Sequence, residues 1–176
     1  LAIVYNTFIS IIQTILTNDA QVNISRSVSK LKSVYLSLEN YFVAGSARKT
    51  FYAKQWNNFY SPMAIDTNNT ISTTHSEAFE IENLQLQVGA FLMPQYPIRS
   101  HAECYYSLKK SLGIAANSLH GIDIDGNEYR NEKFIVGIDC ETMLGLSFTG
   151  LNTNNSLMTV KFKTNTTNQA NRMHIL

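Results

Sequence analysis

Two short segments near the end of the chain, residues 144–148 and 158–162, carry a large apolar side chain at every second position. The residues between them are glycine, serine, threonine or lysine. A period of two gives a strand one buried face and one solvated face, as in an antiparallel sandwich or barrel. The joining segment, residues 149–156, is rich in turn-forming residues, so the pattern predicts a β-hairpin in a two-layer β domain. No residue in this hairpin suggests reactive chemistry, which favours a scaffold or binding role.

The composition places limits on size and partners. A chain of 176 residues is long enough for one domain with a substantial core. The formal net charge is +1 and 15% of the residues are charged, which argues against a strongly electrostatic partner such as duplex DNA. A surface rich in Asn, Ser, Thr and Gln suits contacts between copies of the chain, because few charges must lose their water there. The alternative is that these residues fill the turns of a β protein.

Other segments also have strand patterns. Residues 33–38 alternate, and residues 134–138 are apolar throughout, as expected of a strand that is buried on both faces. Residues 79–88 alternate too, but the phase shifts by one near Asn83, which predicts a bulge or tight turn there. This pattern continues to Met93 and is expected to stop at Pro94.

Two helices are predicted. The apolar spacing over residues 3–16 predicts an amphipathic helix, so residues 1–18 are expected to be an N-terminal helix or linker before a single domain over 19–176. Its polar stripe argues against a membrane span. Residues 100–112 form the second helix, because Ser100 and Glu103 have the spacing of a capping box and Gly113 is suited to end the helix.

Candidate sites for chemistry are few. The four histidines are isolated in the sequence, and no nucleotide-binding or hydrolase motif occurs, so we predict no enzyme, no cofactor and no metal. Asp125-Gly126 predicts a hairpin turn rather than a calcium loop, since the spacing fails the EF-hand pattern. Cys104 and Cys140 lack a metal-ligand spacing; a disulfide is one interpretation, and two buried thiols is the one we favour.

A long stretch without periodicity, residues 43–75, is predicted to be a loop insertion in this domain. It contains an aromatic cluster with interleaved basic residues: Phe51, Tyr52, Trp56, Phe59 and Tyr60. Such a cluster suits the stacking of single-stranded bases or sugars. Aromatic residues are also enriched where proteins contact each other, and we favour this cluster as a contact between subunits.

Several segments together resemble a known family. They are Leu-Gln-Leu-Gln-Val-Gly-Ala at 84–90, residues 24–38 and 96–113, and the end of the chain from residue 134 through Met-Thr-Val-Lys-Phe-Lys at 158–163 to residue 175. In residues and in order they resemble the C-terminal part of double-jelly-roll major capsid proteins of eukaryotic DNA viruses and of virophage and Polinton-like elements. The resemblance implies an antiparallel jelly-roll β-sandwich of about eight strands. It also implies location in the virion, homotrimeric capsomers, other capsid proteins as partners and no enzymatic activity.

The chain departs from that family in length. A double jelly roll needs two sandwiches and this chain has residues for one, so it is either one half of such a protein or a single-jelly-roll relative. Our first hypothesis is therefore a structural viral capsid protein that packs against copies of itself. The second is a carbohydrate- or nucleic-acid-binding β-sandwich that uses the aromatic residues of 51–60. An enzyme is a third hypothesis, for which no residues are nominated.

Overall fold

A computed structural model describes residues 7–15, 19–40, 81–113, 121, 123–131, 133–141, 149–164 and 171–176. Within these residues the protein is mainly β, with eight strands and two helices. The strands are β1 (Ile11–Ile15), β2 (Asp19–Ile24), β3 (Ser33–Asn40), β4 (Ile81–Val88), β5 (Phe91–Ile98), β6 (Val136–Asp139), β7 (Met158–Thr164) and β8 (Asn171–Ile175). The helices are α1 (His101–Ser111) and α2 (Gly126–Asn131), both between β5 and β6 in the sequence.

The strands form two four-stranded antiparallel sheets. The first sheet has the order β1-β8-β3-β6 and the second has the order β2-β7-β4-β5. Contacts between β1 and β2 join the sheets on one flank, and contacts between β5 and β6 join them on the other. The predicted two-layer β architecture is therefore present in the described part of the chain.

The core lies between the two sheets and follows the predicted alternation. In β7, Val160 and Phe162 are 0% and 3% exposed, whereas Lys161 is half-buried and Lys163 is exposed. In β3, the residues predicted to face the core are buried: Val34, Leu36 and Leu38. Alternate burial of this kind keeps the lysine ammonium groups in water while the apolar side chains pack together.

The predicted phase change near Asn83 is confirmed. The register between β4 and β7 shifts between Ile81 and Asn83, so the strand carries an irregularity there. Ile81 and Leu84 are both buried although they are three residues apart. An extra residue at this point turns both side chains to the same face of the sheet.

The predicted N-terminal helix is wrong over residues 11–15, which form strand β1. This strand pairs with β8 from Ile11 opposite Ile175 to Ile15 opposite Asn171, so it is part of the sandwich and not a segment ahead of it. Residues four apart share one face in a helix and in a strand alike, so the spacing of Ile11 and Ile15 fits both. The β-branched side chains at four of the five positions favour the strand.

The predicted hairpin between residues 144–148 and 158–162 has its second segment in β7, whereas residues 144–148 lie outside the described part of the chain. Strand β7 has β2 along one edge and β4 along the other; the ladder with β2 extends from Met158 to Lys163 and the ladder with β4 from Met158 to Thr164. A strand has only two hydrogen-bonding edges, and both edges of β7 are occupied by these two strands. Alternation identifies a buried face but does not identify the partner strand.

Two predictions based on turn-forming residues also differ from the structure. The strand expected to stop at Pro94 continues as β5 to Ile98 through Pro94 and Pro97. This is possible because β5 is an edge strand, where a missing N–H breaks no ladder on the open side. Its pairing with β4 is irregular here: Met93 lies opposite Leu86 and Ile98 lies opposite Leu84.

Asp125-Gly126 begins a helix instead of forming a hairpin turn. The Oδ1 atom of Asp125 accepts a hydrogen bond of 2.7 Å from the backbone N–H of Glu128, and helix α2 starts at Gly126. An aspartate satisfies free N–H groups at a helix start as readily as it forms a turn, so the dipeptide fits both structures.

The helix predicted over residues 100–112 is present as α1, with the expected start. The hydroxyl of Ser100 accepts a hydrogen bond of 3.2 Å from the N–H of Glu103. The Glu103 carboxylate accepts a bond of 2.6 Å from the N–H of Arg99, one residue earlier than in a standard capping box. At the other end Gly113 has a φ of +71°, a conformation that glycine adopts without steric cost.

Replacement of Ser100 by alanine is expected to lower the free energy of unfolding by about 1 kcal/mol, the usual loss for an N-cap hydroxyl. Urea unfolding of the wild-type and Ser100→Ala proteins measures this loss of free energy. Ser100→Asp is the matched control, because aspartate also caps helices and should keep most of the stability. An unchanged midpoint for Ser100→Ala would mean that the cap contributes nothing to the stability of the domain.

Candidate interaction surface

The aromatic cluster predicted as a contact between subunits lies outside the described residues. All five of its members fall in residues 41–80: Phe51, Tyr52, Trp56, Phe59 and Tyr60. The same applies to the predicted insertion at 43–75. Both therefore stay predictions, and the surface described below is built from other residues.

The most exposed apolar side chains of the second sheet lie on its edge strand β5. Phe91 is 67% exposed and Tyr96 is 81% exposed, and Leu92 between them is also exposed. The side-chain amide of Gln85, on β4, donates hydrogen bonds to the carbonyl groups of Pro94 and Gln95, at 2.8 and 3.2 Å. These bonds fix the irregular part of β5 to its neighbour, so its aromatic residues are held by the sheet.

A second exposed apolar group lies on the other flank of the sandwich, at and before strand β1. Phe8 is 76% exposed, Ile12 is 60% exposed and Ile9 is also exposed. Ile12 lies opposite His174 of β8, on the face of the first sheet that points away from the core, since its neighbour Ile11 packs against the core. Strand β1 is an edge strand, like β5.

Helix α1 covers the outer face of strand β6. The hydroxyl of Ser107 donates to the carbonyl of Gly137 at 2.5 Å, and the Tyr35 hydroxyl donates to the carbonyl of Ser111 at 3.3 Å. A Cβ atom at Gly137 would lie 3.1 Å from the backbone Cα of Leu108. Only glycine thus allows the helix to pack this closely, and this explains why residues 136–138 are buried on both faces.

Packed aromatic rings of three residues, Tyr105, Tyr129 and Phe134, join α1 to α2 and to the segment that leads into β6. The rings of Tyr105 and Tyr129 have centroids 5.0 Å apart, and those of Tyr129 and Phe134 are 5.4 Å apart. The hydroxyl of Tyr129 donates to the carbonyl of Ile135 at 2.8 Å, and burial raises the pKa of that hydroxyl well above its usual range. The cluster is therefore a neutral packing site that holds the α1–β6 connection on the sandwich.

His101 lies at the edge of this cluster. Its ring meets Phe134 edge-on with a centroid distance of 6.5 Å, and its buried Nε2 atom has no hydrogen-bond partner among the residues that the structure describes. Burial, and then the positive charge of Arg130, lower the pKa of His101 below its ordinary 6.5.

This lowered pKa predicts a loss of stability in acid. The unfolded chain binds the proton of His101 more readily than the folded chain, so its contribution to stability is present above about pH 6.5 and is lost as the pH falls. Thermal unfolding of the wild-type protein between neutral pH and about pH 5 should show that stability declines as the pH falls. In the His101→Gln protein the slope of stability against pH should be smaller. His174→Gln is the control for removal of a histidine elsewhere. An identical slope in the wild-type and His101→Gln proteins would contradict the assignment.

The two cysteines are free and buried, as the interpretation of two buried thiols predicts. Burial raises the pKa of each thiol to about 12. A thiol with this pKa is almost entirely protonated near neutral pH, and the thiolate is the reactive form. Neither cysteine is therefore a candidate nucleophile.

Loops at one end of the sandwich are joined by Thr153, which is fully buried. Its hydroxyl accepts from the N–H of Val28 at 2.8 Å and donates to the carbonyl of the same residue at 3.1 Å. Leu31 and Leu151 add a pair of backbone hydrogen bonds beside it, at 2.8 and 2.9 Å. These bonds hold the β2–β3 connection against the segment that leads into β7.

The described residues contain neither a candidate metal site nor a candidate membrane helix. Within the described residues no group of three or more His, Cys, Asp or Glu side chains is placed to hold a metal ion. No described helix is both long and apolar enough to span a membrane. No family model, curated protein or solved structure matches the chain.

The exposed residues of β1 and β5 were not among the contact residues predicted from the sequence. One signal for β5 was available: two prolines in an apolar, uncharged segment indicate an edge strand. The isoleucines of β1 also fit the spacing of a helix, in which Ile12 would belong to the buried stripe. The correct assignment depends on the pairing with β8, which is remote in sequence.

Proposed function

We propose that this chain is a structural subunit of a virus capsid, a jelly-roll sandwich that assembles with copies of itself into capsomers of the virion. The trimer implied by the family resemblance is the expected capsomer. The proposal depends on one observation above the others, the way in which the eight strands pair.

The pairing supports a jelly-roll topology. If a long hairpin with β1–β4 in one arm and β5–β8 in the other is formed, its ladders are β1 with β8, β2 with β7, β3 with β6 and β4 with β5. All four of these antiparallel ladders occur. Wrapping this ribbon places the first and third ladders in one sheet and the second and fourth in the other, which is the observed order. Viral capsid domains use the jelly roll, as do lectins and cupins.

The surface favours the capsid over the other uses of this architecture. A fold alone does not determine function, so the surface has to supply the argument. Six of the exposed apolar residues lie on or directly before the two edge strands β1 and β5, and neither strand contains a charged residue. The others lie at separate positions on α1, in connecting segments and after β8: Tyr106, Leu112, Ile135, Leu157 and Leu176. Exposed apolar groups at edges are typical of surfaces that associate with another protein.

Light scattering of the full chain after gel filtration, with electron microscopy of the same fractions, tests the proposal. We expect a defined oligomer, with a trimer as the first species, and ordered assemblies at higher concentration. A monomer at every concentration would contradict a capsid role.

A second experiment distinguishes the capsid from a binding module. Trp56→Ala is expected to impair assembly more than it impairs folding, with the unfolding midpoint as the measure of folding. If this substitution instead abolished binding to a glycan array or to single-stranded polynucleotides and left assembly unchanged, the carbohydrate- or nucleic-acid-binding module would replace the capsid subunit.

A further inference from the structure

The four edge strands of the sandwich differ in charge. The edges of the first sheet are β1 and β6, and those of the second are β2 and β5. Strands β2 and β6 each include an aspartate in their sequence, and β6 is also covered by helix α1. Strands β1 and β5 include no charged residue. Charged side chains on an edge usually prevent association, so among the described strands β1 and β5 are the two edges that lack such a residue.

Both uncharged edges carry exposed apolar side chains. On the β5 flank these are Phe91, Leu92 and Tyr96, and on the β1 flank they are Phe8, Ile9 and Ile12. Because one aromatic side chain buries about 150–250 Å², each group offers roughly 300–400 Å² of apolar area. A standard interface buries about 800 Å² per partner, of which a little over half is apolar. Each group therefore supplies most of the apolar area that such a contact needs.

The two groups lie on opposite flanks of the sandwich. Strand β1 contacts β2 at one flank, and β5 contacts β6 at the other. A two-fold dimer brings the same patch of both subunits together, whereas a head-to-tail contact needs two different patches on one subunit. Two unlike, neutral patches on opposite flanks fit the second kind of contact, which closes into a ring when the rotation between subunits allows it.

We propose that copies of this chain associate head to tail, with the β1 flank of one copy packed against the β5 flank of the next. The inference rests on the proposed function, self-assembly, and names the surfaces that carry it. The contact is made by side chains and not by a continuous sheet, because Pro94 and Pro97 lack the N–H groups that a ladder needs and the strand is irregular between Met93 and Ile98.

Cross-linking of two variants, each with one added cysteine, tests the polarity of the contact. Ile12→Cys and Tyr96→Cys each place a thiol on one flank, at positions that are 60% and 81% exposed in the subunit. The native thiols of Cys104 and Cys140 are buried with a pKa of about 12, so a short bismaleimide reagent should react mainly with the introduced cysteines. Light scattering of each variant first establishes that it forms the wild-type oligomer.

We expect a covalent dimer when the two variants are mixed and allowed to exchange subunits, and none when either variant is treated alone. Lys163→Cys, which is exposed on the inner strand β7, is the control and should not form a cross-link with either variant. A cross-link within one variant alone would indicate a two-fold contact and overturn the proposal. An oligomer that gives no cross-link in the mixture would also overturn it while leaving self-assembly intact.

Charge substitution gives a second, independent measurement. Tyr96→Asp and Ile12→Asp should each weaken self-association by about tenfold or more, because each buries an unpaired carboxylate at the contact. Lys163→Asp also places a carboxylate at an exposed position, here on β7, and it removes the ion pair between Lys163 and Glu82 within the subunit. It should leave the association constant within about threefold. Equal effects of all three substitutions would mean that the flanks are not the contact. If the wild-type chain is monomeric, the proposed function itself fails, a result that differs from each of the others.

Discussion

Replacement of Phe162 by alanine is expected to lower the free energy of unfolding by about 3–5 kcal/mol. The side chain is 3% exposed and lies on the inner strand β7, opposite Leu84 of β4 and Ala20 of β2. Because β7 has a strand along each edge and its buried face packs against the first sheet, the neighbours cannot close the space that the ring leaves. The loss therefore includes both the lost burial of the ring and the cost of the cavity.

Urea unfolding of Phe162→Ala and Lys161→Ala measures the difference between the two faces of β7. The Lys161 side chain lies on the outer face and is half-buried, so its removal should change the free energy of unfolding by no more than about 0.5 kcal/mol unless it lies at a contact between subunits. Measurement at low protein concentration removes that complication. Comparable losses for the two substitutions would contradict the register of β7.

Substitution of Gly137 is expected to have the second largest effect, a loss of about 1–3 kcal/mol that is greater for valine than for alanine. An added Cβ atom would meet the Ser111 side chain and lie 3.1 Å from the backbone of Leu108. The serine hydroxyl can rotate away, but the helix backbone can move only if α1 shifts on β6. The hydrogen bond from Ser107 to the carbonyl of Gly137 would be strained by that shift.

Two controls isolate the packing of α1 as the cause. Gly121→Ala adds the same methyl group where, apart from its chain neighbours, no atom of the described residues lies within 4 Å, so it should be neutral within about 0.5 kcal/mol. Ser111→Ala should cost less in the Gly137→Ala protein than in the wild type, because it relieves the closest contact; a coupling of at least 0.5 kcal/mol is expected for residues in contact, on the order of measured double-mutant cycles. Additive effects of the two substitutions would mean that Gly137→Ala destabilises the protein by a route other than its contact with Ser111.

The sequence determined those features that depend on neighbouring residues. Helix α1 and its start follow from Ser100 and Glu103, because a capping interaction spans only three residues. The burial of Val160 and Phe162 follows from alternation along β7, and the irregularity near Asn83 follows from a change of phase in that alternation. Each of these signals is contained within one strand or one helical turn.

Only the tertiary structure decided which strands are neighbours and which surfaces stay exposed. The two ladders of β7 join residues far apart in sequence, and alternation, which reports a buried face, is the same for every partner. For the same reason Ile11–Ile15 became strand β1, since pairing with β8 outweighed a spacing that a helix also satisfies. The candidate contact residues Ile12 and Tyr96 could not be predicted, because an apolar side chain is identified as exposed only when the sheet, its edges and the opposite layer are in place.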